Sequence, residues 1–225
     1  MKRSEINQII AESIEFFEKY RFKLPKFGYY KLDDWKNVRE SNQEVFDLGL
    51  GWDITDFGMN KFNDYGLVLF TLRNGMLNSK KYTKSYAEKI MVGKKDQITP
   101  MHYHVNKTED IINRGGGKFA IQVYLSDEKD EKTDRDVILS FDGTCRTLKA
   151  GSWVYLEPGQ SITLTPYVYH SFHAEGDDVL IGEVSAVNDD NKDNFFYGGI
   201  GRFPDIEEDV DPVYLLVNDY PKFLY

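Results

Sequence analysis

Two of the four histidines in this 225-residue chain stand one residue apart in TPMHYHVNKTEDIINRGGG, residues 99–117. A β-strand sends residues i and i+2 to the same face, so His102 and His104 present two imidazoles to one point while Tyr103 faces away. Glu109 follows after a short turn and can return a carboxylate oxygen to the same place. A third imidazole must come from LTPYVYHSFHAEG, which offers His170, just after a Pro-led turn, and His173, at the opposite strand parity. Three imidazoles and a carboxylate leave positions open on an ion of five or six coordination. Such a mixed nitrogen and oxygen set suits Mn, Fe, Co, Ni or Zn and disfavours thiolate-seeking ions. A lone histidine is most often a surface or satisfied core residue. The joint pattern of H-x-H, Glu, a glycine run and a distant Pro-led His is what points to a metal.

The elements that must position these residues are mostly short strands. Ile6, Ile9, Ile10, Ser13, Ile14 and Phe17 recur at helical spacing, with Ser4 as the expected N-cap, and a second short helix is expected in LDDWKNVRE, capped by Asp33 or Asp34. From about Gly51 the texture changes to strands between turn signals, including Asn74-Gly75 and Gly93-Lys94-Lys95-Asp96. KFAIQVYLS, DVILSFDGTCRTLKAG, SWVYLEPGQSITLTP, SFHAEGDDVLIGEVSAV and DPVYLLVND continue it. Turn signals roughly every 8 to 12 residues indicate an all-β sandwich or barrel. The expected organisation is one structural domain, with a helical segment over 1–50 packing on a barrel over 51–225. Gly115 to Gly117 are read as a turn needing positive φ or close backbone approach. No helix pattern or P-loop Lys-Ser/Thr follows them, so they are not read as a phosphate cradle. The acidic loop SDEKDEKTDRD is an expected exposed hairpin tip, and Asp189, Asp190 and Asp193 an expected capped loop near the barrel mouth.

Composition narrows the classes of partner. A formal charge of −9 argues against nucleic acid, and Lys94 and Lys95 read as a solvated hairpin rather than a basic patch. No run approaches the ~18 apolar residues of a membrane helix. The start MKRSEINQII is basic, but polar and acidic residues interrupt it, so it does not read as a signal peptide. Cys145 alone can form no internal disulfide, which suits a reducing cytoplasm.

The metal pattern resembles the two-part signature of the cupins: His102-x-His104, Glu109 and Gly115 or Gly116, then Gly159, Pro166 and His170. The second part departs from the usual form, because Tyr167 and Val168 stand where a glycine usually follows the proline. The resemblance implies a small antiparallel double-stranded β-helix, or jelly-roll, barrel with the metal in its mouth. With MKRSEIN, PGQSITLTPYVYHSFHAEG and VLIGEVSAVNDDNKDN added, the chain looks like the D-lyxose ketol-isomerases of that superfamily over nearly its whole length. The resemblance implies interconversion of D-lyxose and D-xylulose, and of D-mannose and D-fructose, through a metal-stabilised enediol. It assigns His102, His104, Glu109 and His170 to a divalent ion, typically Mn²⁺, with Co²⁺, Fe²⁺, Ni²⁺ or Zn²⁺ compatible. A homodimer is the assembly it implies.

Isomerisation moves a proton from C2 to C1, so a base must reach those carbons. Lys107, between His104 and Glu109, and Glu183, on the otherwise apolar strand segment around Leu180, Ile181 and Val184, are the expected proton-transfer pair. A nearby cation is expected to favour the neutral amine of Lys107. Lys89, Arg114 and His173 are candidates for sugar contacts. The rival readings are a cupin oxygenase, which would use the same ligands for iron and dioxygen, and a non-catalytic sugar-binding cupin. A phosphosugar isomerase would need an Arg/Lys cluster that the motifs lack.

Overall fold

The computed structural model describes residues 1–189 and 192–225, so Asp190 of the acidic loop lies outside the described residues. Helix α1 (Arg3–Lys19) buries Ile6, Ile9, Ile10, Ser13 and Phe17 on one face, as the spacing requires. Its cap differs from the expected one. Lys2 holds the N-cap position, and Ser4 sits inside the first turn, donating its hydroxyl to Asp209 at 2.6 Å. Ser4 therefore ties the helix to the C-terminal segment. Helix α2 (Leu32–Val38) likewise starts after Lys31, whose N–H is accepted by Asp34 at 2.9 Å; Asp33 and Asp34 lie in the first turn. A short α3 (Gln43–Asp47) leads into the strands.

The strands run β1 (Gly51–Thr55), β2 (Leu67–Arg73), β3 (Tyr86–Gly93), β4 (Thr99–Tyr103), β5 (Glu109–Leu125) and β6 (Val137–Phe141). They continue as β7 (Thr144–Leu148), β8 (Trp153–Leu156), β9 (Ser161–Leu164), β10 (Val168–Ala186) and β11 (Phe195–Phe196), before α4 (Tyr220–Leu224) closes the chain. Pairing is antiparallel in the order β1-β2-β3-β10-β5-β9-β6-β7, with β4 joining β10 and β11, and β8 joining β5. The long strands β5 and β10 pair along almost their whole length and serve both walls of the barrel. The first part of β5 takes β9 and the later part takes β8; the end of β10 takes β3 and its start takes β4. This is the double-stranded β-helix the motifs implied.

The glycine run lies inside β5, not in a turn, and marks the corner where the strand pair passes from one wall to the other. The β5–β10 register slips between Glu175 and Val179, opposite Gly116. Gly116 has φ +106, and a Cβ on it would stand 2.0 Å from the Asp178 carbonyl oxygen. Only glycine fits that approach. Asn74-Gly75 also differs from the expected two-residue hairpin, since β3 begins only at Tyr86. Asn74 instead anchors a longer loop, donating to the Asn188 carbonyl at 3.0 Å and accepting its N–H at 3.0 Å.

Barrel and helices have separate apolar layers. Phe119, Ile121, Val123, Phe141, Ile162 and Ile181 fill the barrel. On the outer face of β1–β3, Trp52, Val68, Phe70 and Ile90 pack against Ile6, Ile10 and Phe17 of α1. DPVYLLVND was expected as a strand, but only a bridge at Trp52–Leu216 forms there. Leu215, Tyr220 and Leu224 pack instead on Trp35, Val45 and Leu48, so the C-terminal stretch completes the helical layer. Arg3, fully buried, fastens it with two bonds to Asp219, at 2.7 and 2.9 Å, and two to Glu208. Among the described residues no helix is long and apolar enough to cross a membrane.

Candidate metal centre

β4 and β10 place two imidazoles side by side, tilted 58° to one another. His102 and His170 are register partners, their ring centroids 4.1 Å apart. His104 follows the end of β4 and lies 5.5 Å from His170, centroid to centroid. Each ring is held by its Nδ1–H, donated to a backbone carbonyl: His102 to Pro100 at 2.8 Å, His104 to Asp193 at 2.5 Å, and His170 to Val168 at 3.0 Å. A carbonyl can only accept, so these bonds fix the Nδ1–H tautomer and turn the Nε2 lone pairs inward. One ligand atom from each ring can be chosen so that all three lie within 4.8 Å of one another.

Glu109, the first residue of β5, brings Oε1 to 3.5 Å from His104 Nε2 and 3.2 Å from His170 Nε2. All four residues are buried. Burial lowers the pKa of His102, helped by His170 and His104; burial and Lys107 lower that of His104. Burial works to raise the Glu109 carboxyl, yet Lys107 and His104 hold it well below the ordinary carboxylate range. Three inward Nε2 atoms and an ionised carboxylate thus converge on one buried point. A divalent cation of the N/O-preferring class fits that donor set.

Beside the donors stands a buried chain of opposite charges. Lys107 Nζ lies 2.6 Å from Glu109 Oε2 and 2.9 Å from Glu183 Oε1. Lys89, the register partner of Glu183, lies 3.4 Å from the same oxygen and donates to Asn188 Oδ1 at 2.7 Å. Burial would raise the Glu183 carboxyl, but Lys107 and Lys89 lower it. The expectation of a neutral Lys107 amine supposes a bound cation, and the protein's own groups act the other way. Two carboxylates flank it, and they favour the ammonium form. Phe57, Leu67, Leu69, Met91, Phe172 and Phe196 supply the apolar wall of the cavity.

The sequence profile of the D-lyxose isomerase family matches residues 1–220. The chain belongs to the D-lyxose isomerase family. It is 48% identical over 227 residues to the D-lyxose/D-mannose isomerase of Serratia proteamaculans, covering 100% of both chains. It is 46% identical to that of Escherichia coli O157:H7, covering 99% of this chain and 100% of the other. Among solved structures, an L-ribose isomerase variant of Acinetobacter sp. DL28 in complex with L-ribose superposes with a TM-score of 0.61 at 13% identity. That match covers 91% of this chain and 98% of the other, and at such identity it speaks for the cupin-type fold alone. This member of the D-lyxose isomerase family is thus a sugar isomerase.

Seven of the residues singled out in the sequence meet in one cavity: the four donors, Lys107, Glu183 and Lys89. Two others do not join them. Arg114 is exposed and lies over Gly182, in an outer groove with Tyr20 and Phe22. His173 packs on Trp153, ring centroids 4.9 Å apart, on the outer side of the barrel wall. Opposite strand parity from His170 sends it there, so neither residue touches the cavity. The missing motif glycine is explained as well: Tyr167 itself adopts φ +63 and stacks on Tyr103.

Two contributions were not visible in the sequence of this D-lyxose isomerase family member. Asp193, 5% exposed, receives the Val105 and Asn106 amides at 2.8 and 3.0 Å while its carbonyl orients His104. It fixes the turn that carries Lys107. Arg202 reaches the cavity from the far end of the chain, paired with Asp53 at 2.5 Å. The acidic pattern signalled a loop at Asp193, but nothing in the sequence links it to His104, 89 places earlier, or Arg202 to Asp53, 149 places earlier.

Proposed function

We propose that this chain interconverts D-lyxose and D-xylulose, and D-mannose and D-fructose, using a divalent ion, Mn²⁺ foremost, held by His102, His104, Glu109 and His170. The observation that carries the reading is the pairing of an inward-facing three-imidazole and carboxylate set with a buried Lys107–Glu183 pair in the same cavity. The relatives' printed activity, D-lyxose/D-mannose isomerase, supplies the substrates. When bound, the ion supplies Lewis acidity toward the carbonyl and neighbouring hydroxyl of the open-chain sugar.

The chain's own groups perform the proton movements. Glu183, held ionised by Lys107 and Lys89, takes the proton from C2 and returns it to C1. Lys107, as an ammonium, donates its proton to O1 as negative charge develops there and takes back the O2 hydroxyl proton, so the second proton passes from O2 to O1. Glu109, accepting from Lys107 through Oε2, keeps that ammonium aimed at the reacting carbons. Phe196 stacks on His102 at 5.1 Å and limits ring movement. The exposed free thiol of Cys145 suits a reducing compartment, and we propose a cytoplasmic homodimer, for which exposed Trp153 and Tyr155 on β8 offer aromatic surface.

The test is anaerobic conversion of D-lyxose to D-xylulose by metal-stripped protein, before and after Mn²⁺, with His102→Ala as control. Turnover that appears only with metal, without oxygen, and vanishes in the variant supports the reading. Tight Mn²⁺ binding with no turnover of any pentose or hexose overturns it.

A further inference from the structure

The cavity has a second polar corner that the chemistry above does not use. The Arg202 side chain is 11% exposed and lines the same cavity as the donor set. Its Nη2 donates to Asp53 Oδ2 at 2.5 Å, and Asp53 is 5% exposed on its side chain. Its backbone carbonyl accepts the Thr55 hydroxyl at 2.7 Å. Both anchors belong to β1, so a loop residue is held at its head and at its base by one strand. Around it the wall is apolar, from Phe57, Leu67, Leu69, Met91 and Phe196, with Thr99 and Asn194 as the neutral polar groups.

We propose that Arg202 is a substrate-binding residue that donates to a hydroxyl on the unreactive part of the sugar, C3 to C5, and that Asp53 is its positioning residue. The proposal rests on the sugar-isomerase reading and adds the group that reads the carbons beyond the reacting pair. An open-chain aldose carries a hydroxyl on each of those carbons, and an apolar wall cannot replace the water they give up. A guanidinium, with five donors in a fixed fork, can hold a carboxylate and a ligand oxygen together. Asp53 fixes the fork before the sugar arrives, so little side-chain freedom is lost on binding. A site built to satisfy a hydroxyl discriminates strongly against ligands that lack it.

The experiment compares wild type, Arg202→Met and Asp53→Asn on D-lyxose and its 3-, 4- and 5-deoxy analogues, reading kcat/KM and, by calorimetry, Kd. Arg202→Met is expected to lose roughly 10- to 100-fold on D-lyxose and on two analogues. On the analogue that lacks the contacted hydroxyl, the variant and wild type should agree within a few-fold. Asp53→Asn should show a smaller loss with the same analogue pattern. An equal loss on all four sugars, or no loss on any, overturns the assignment. Should Arg202→Met fail to fold, Arg202→Lys is read by the same pattern. Wild type that binds D-lyxose without converting it counts against the isomerase reading, and the pattern in Kd then decides Arg202 separately. Sugars that neither bind nor react overturn both.

Discussion

Lys107→Met tests the charge arrangement of the cavity most directly. Lys107 is 3% exposed and stands 2.6 Å from one carboxylate and 2.9 Å from another. At an effective dielectric of about 20 each pair contributes about 6 kcal/mol of gross attraction, set against several kcal/mol of desolvation per ion. Methionine keeps most of the stem volume, so packing changes little, but Glu109 and Glu183 lose their shared counter-charge. Breaking a buried ion pair on one side costs about 3–5 kcal/mol. In a protein of this size each kcal/mol moves Tm by about 2–4 °C, so the metal-free variant should melt about 6–20 °C below wild type. A cation at the donor set would restore part of the lost countercharge to Glu109, so saturating Mn²⁺ should narrow that gap. Turnover should not recover, because the ammonium is gone. Differential scanning calorimetry of both proteins, with and without Mn²⁺, measures all of this. A metal-free variant melting within about 2 °C of wild type would refute the charged, buried triad. A gap that stays constant with Mn²⁺ would refute the role of Glu109 as a ligand.

Glu183→Gln keeps shape and removes the base, so kcat should fall by about 10²–10⁴ while Mn²⁺ affinity stays within a few-fold; a rate within tenfold of wild type excludes Glu183 from proton transfer. With His102 and His104 lowered in the fold, the unfolded chain alone takes up protons below about pH 6.5. Metal-free stability should therefore fall on acidification by about 1.4 kcal/mol per pH unit for each histidine. The contribution of Glu109, whose carboxyl is held low, is present above about pH 4.3 and is lost as pH falls further. Urea melts of stripped protein between pH 7.5 and 5 check this, and a flat profile contradicts it. Gly116→Ala drives a Cβ to 2.0 Å from a carbonyl oxygen at φ +106 and should cost about 3 kcal/mol or more, whereas Gly143→Ala, with nothing within 4 Å, should cost about 1 kcal/mol. Equal melting points for the two variants would remove the steric argument for the corner in β5.

What the sequence disclosed and what it hid divide along one physical line. Strand parity is a local rule, and it brought His102 and His104 to one face and sent His173 to the other once the histidine partner was chosen. Helical spacing is local too, and α1 buries the face it marks out. Failures came where the partner is distant. Ser4 has a cap-like side chain, yet Asp209 takes its hydroxyl. DPVYLLVND has a strand-like run, yet the unfilled surface under Trp35 and Val45 claims Leu215 and Tyr220. The glycine run was rightly read as a close approach but wrongly as a turn, because the approaching chain, Asp178, lies some sixty residues away.

The same distinction bears on the charges. Lys107 lies two residues from Glu109, so a nearby ion was the visible neighbour and a neutral amine the natural expectation. Glu183 and Lys89 arrive through the β3–β10 register, a pair of neighbours that spacing along the chain does not reveal. Among the described residues lining the cavity, Lys89 and Lys107 answer Glu109 and Glu183, while Arg202 is answered by Asp53. The three histidines donate Nδ1–H to carbonyls and turn Nε2 toward the donor set. A divalent ion in that set would leave a cavity already balanced in charge with an excess of positive charge. A neutral sugar gains little from such a field, whereas a species with charge spread over O1 and O2 gains most. That difference between ground state and transition state is what a rate enhancement requires. On the mechanism proposed above, that field favours proton transfer through an anionic enediol, and the paired lysines would act in catalysis alongside the metal-binding set.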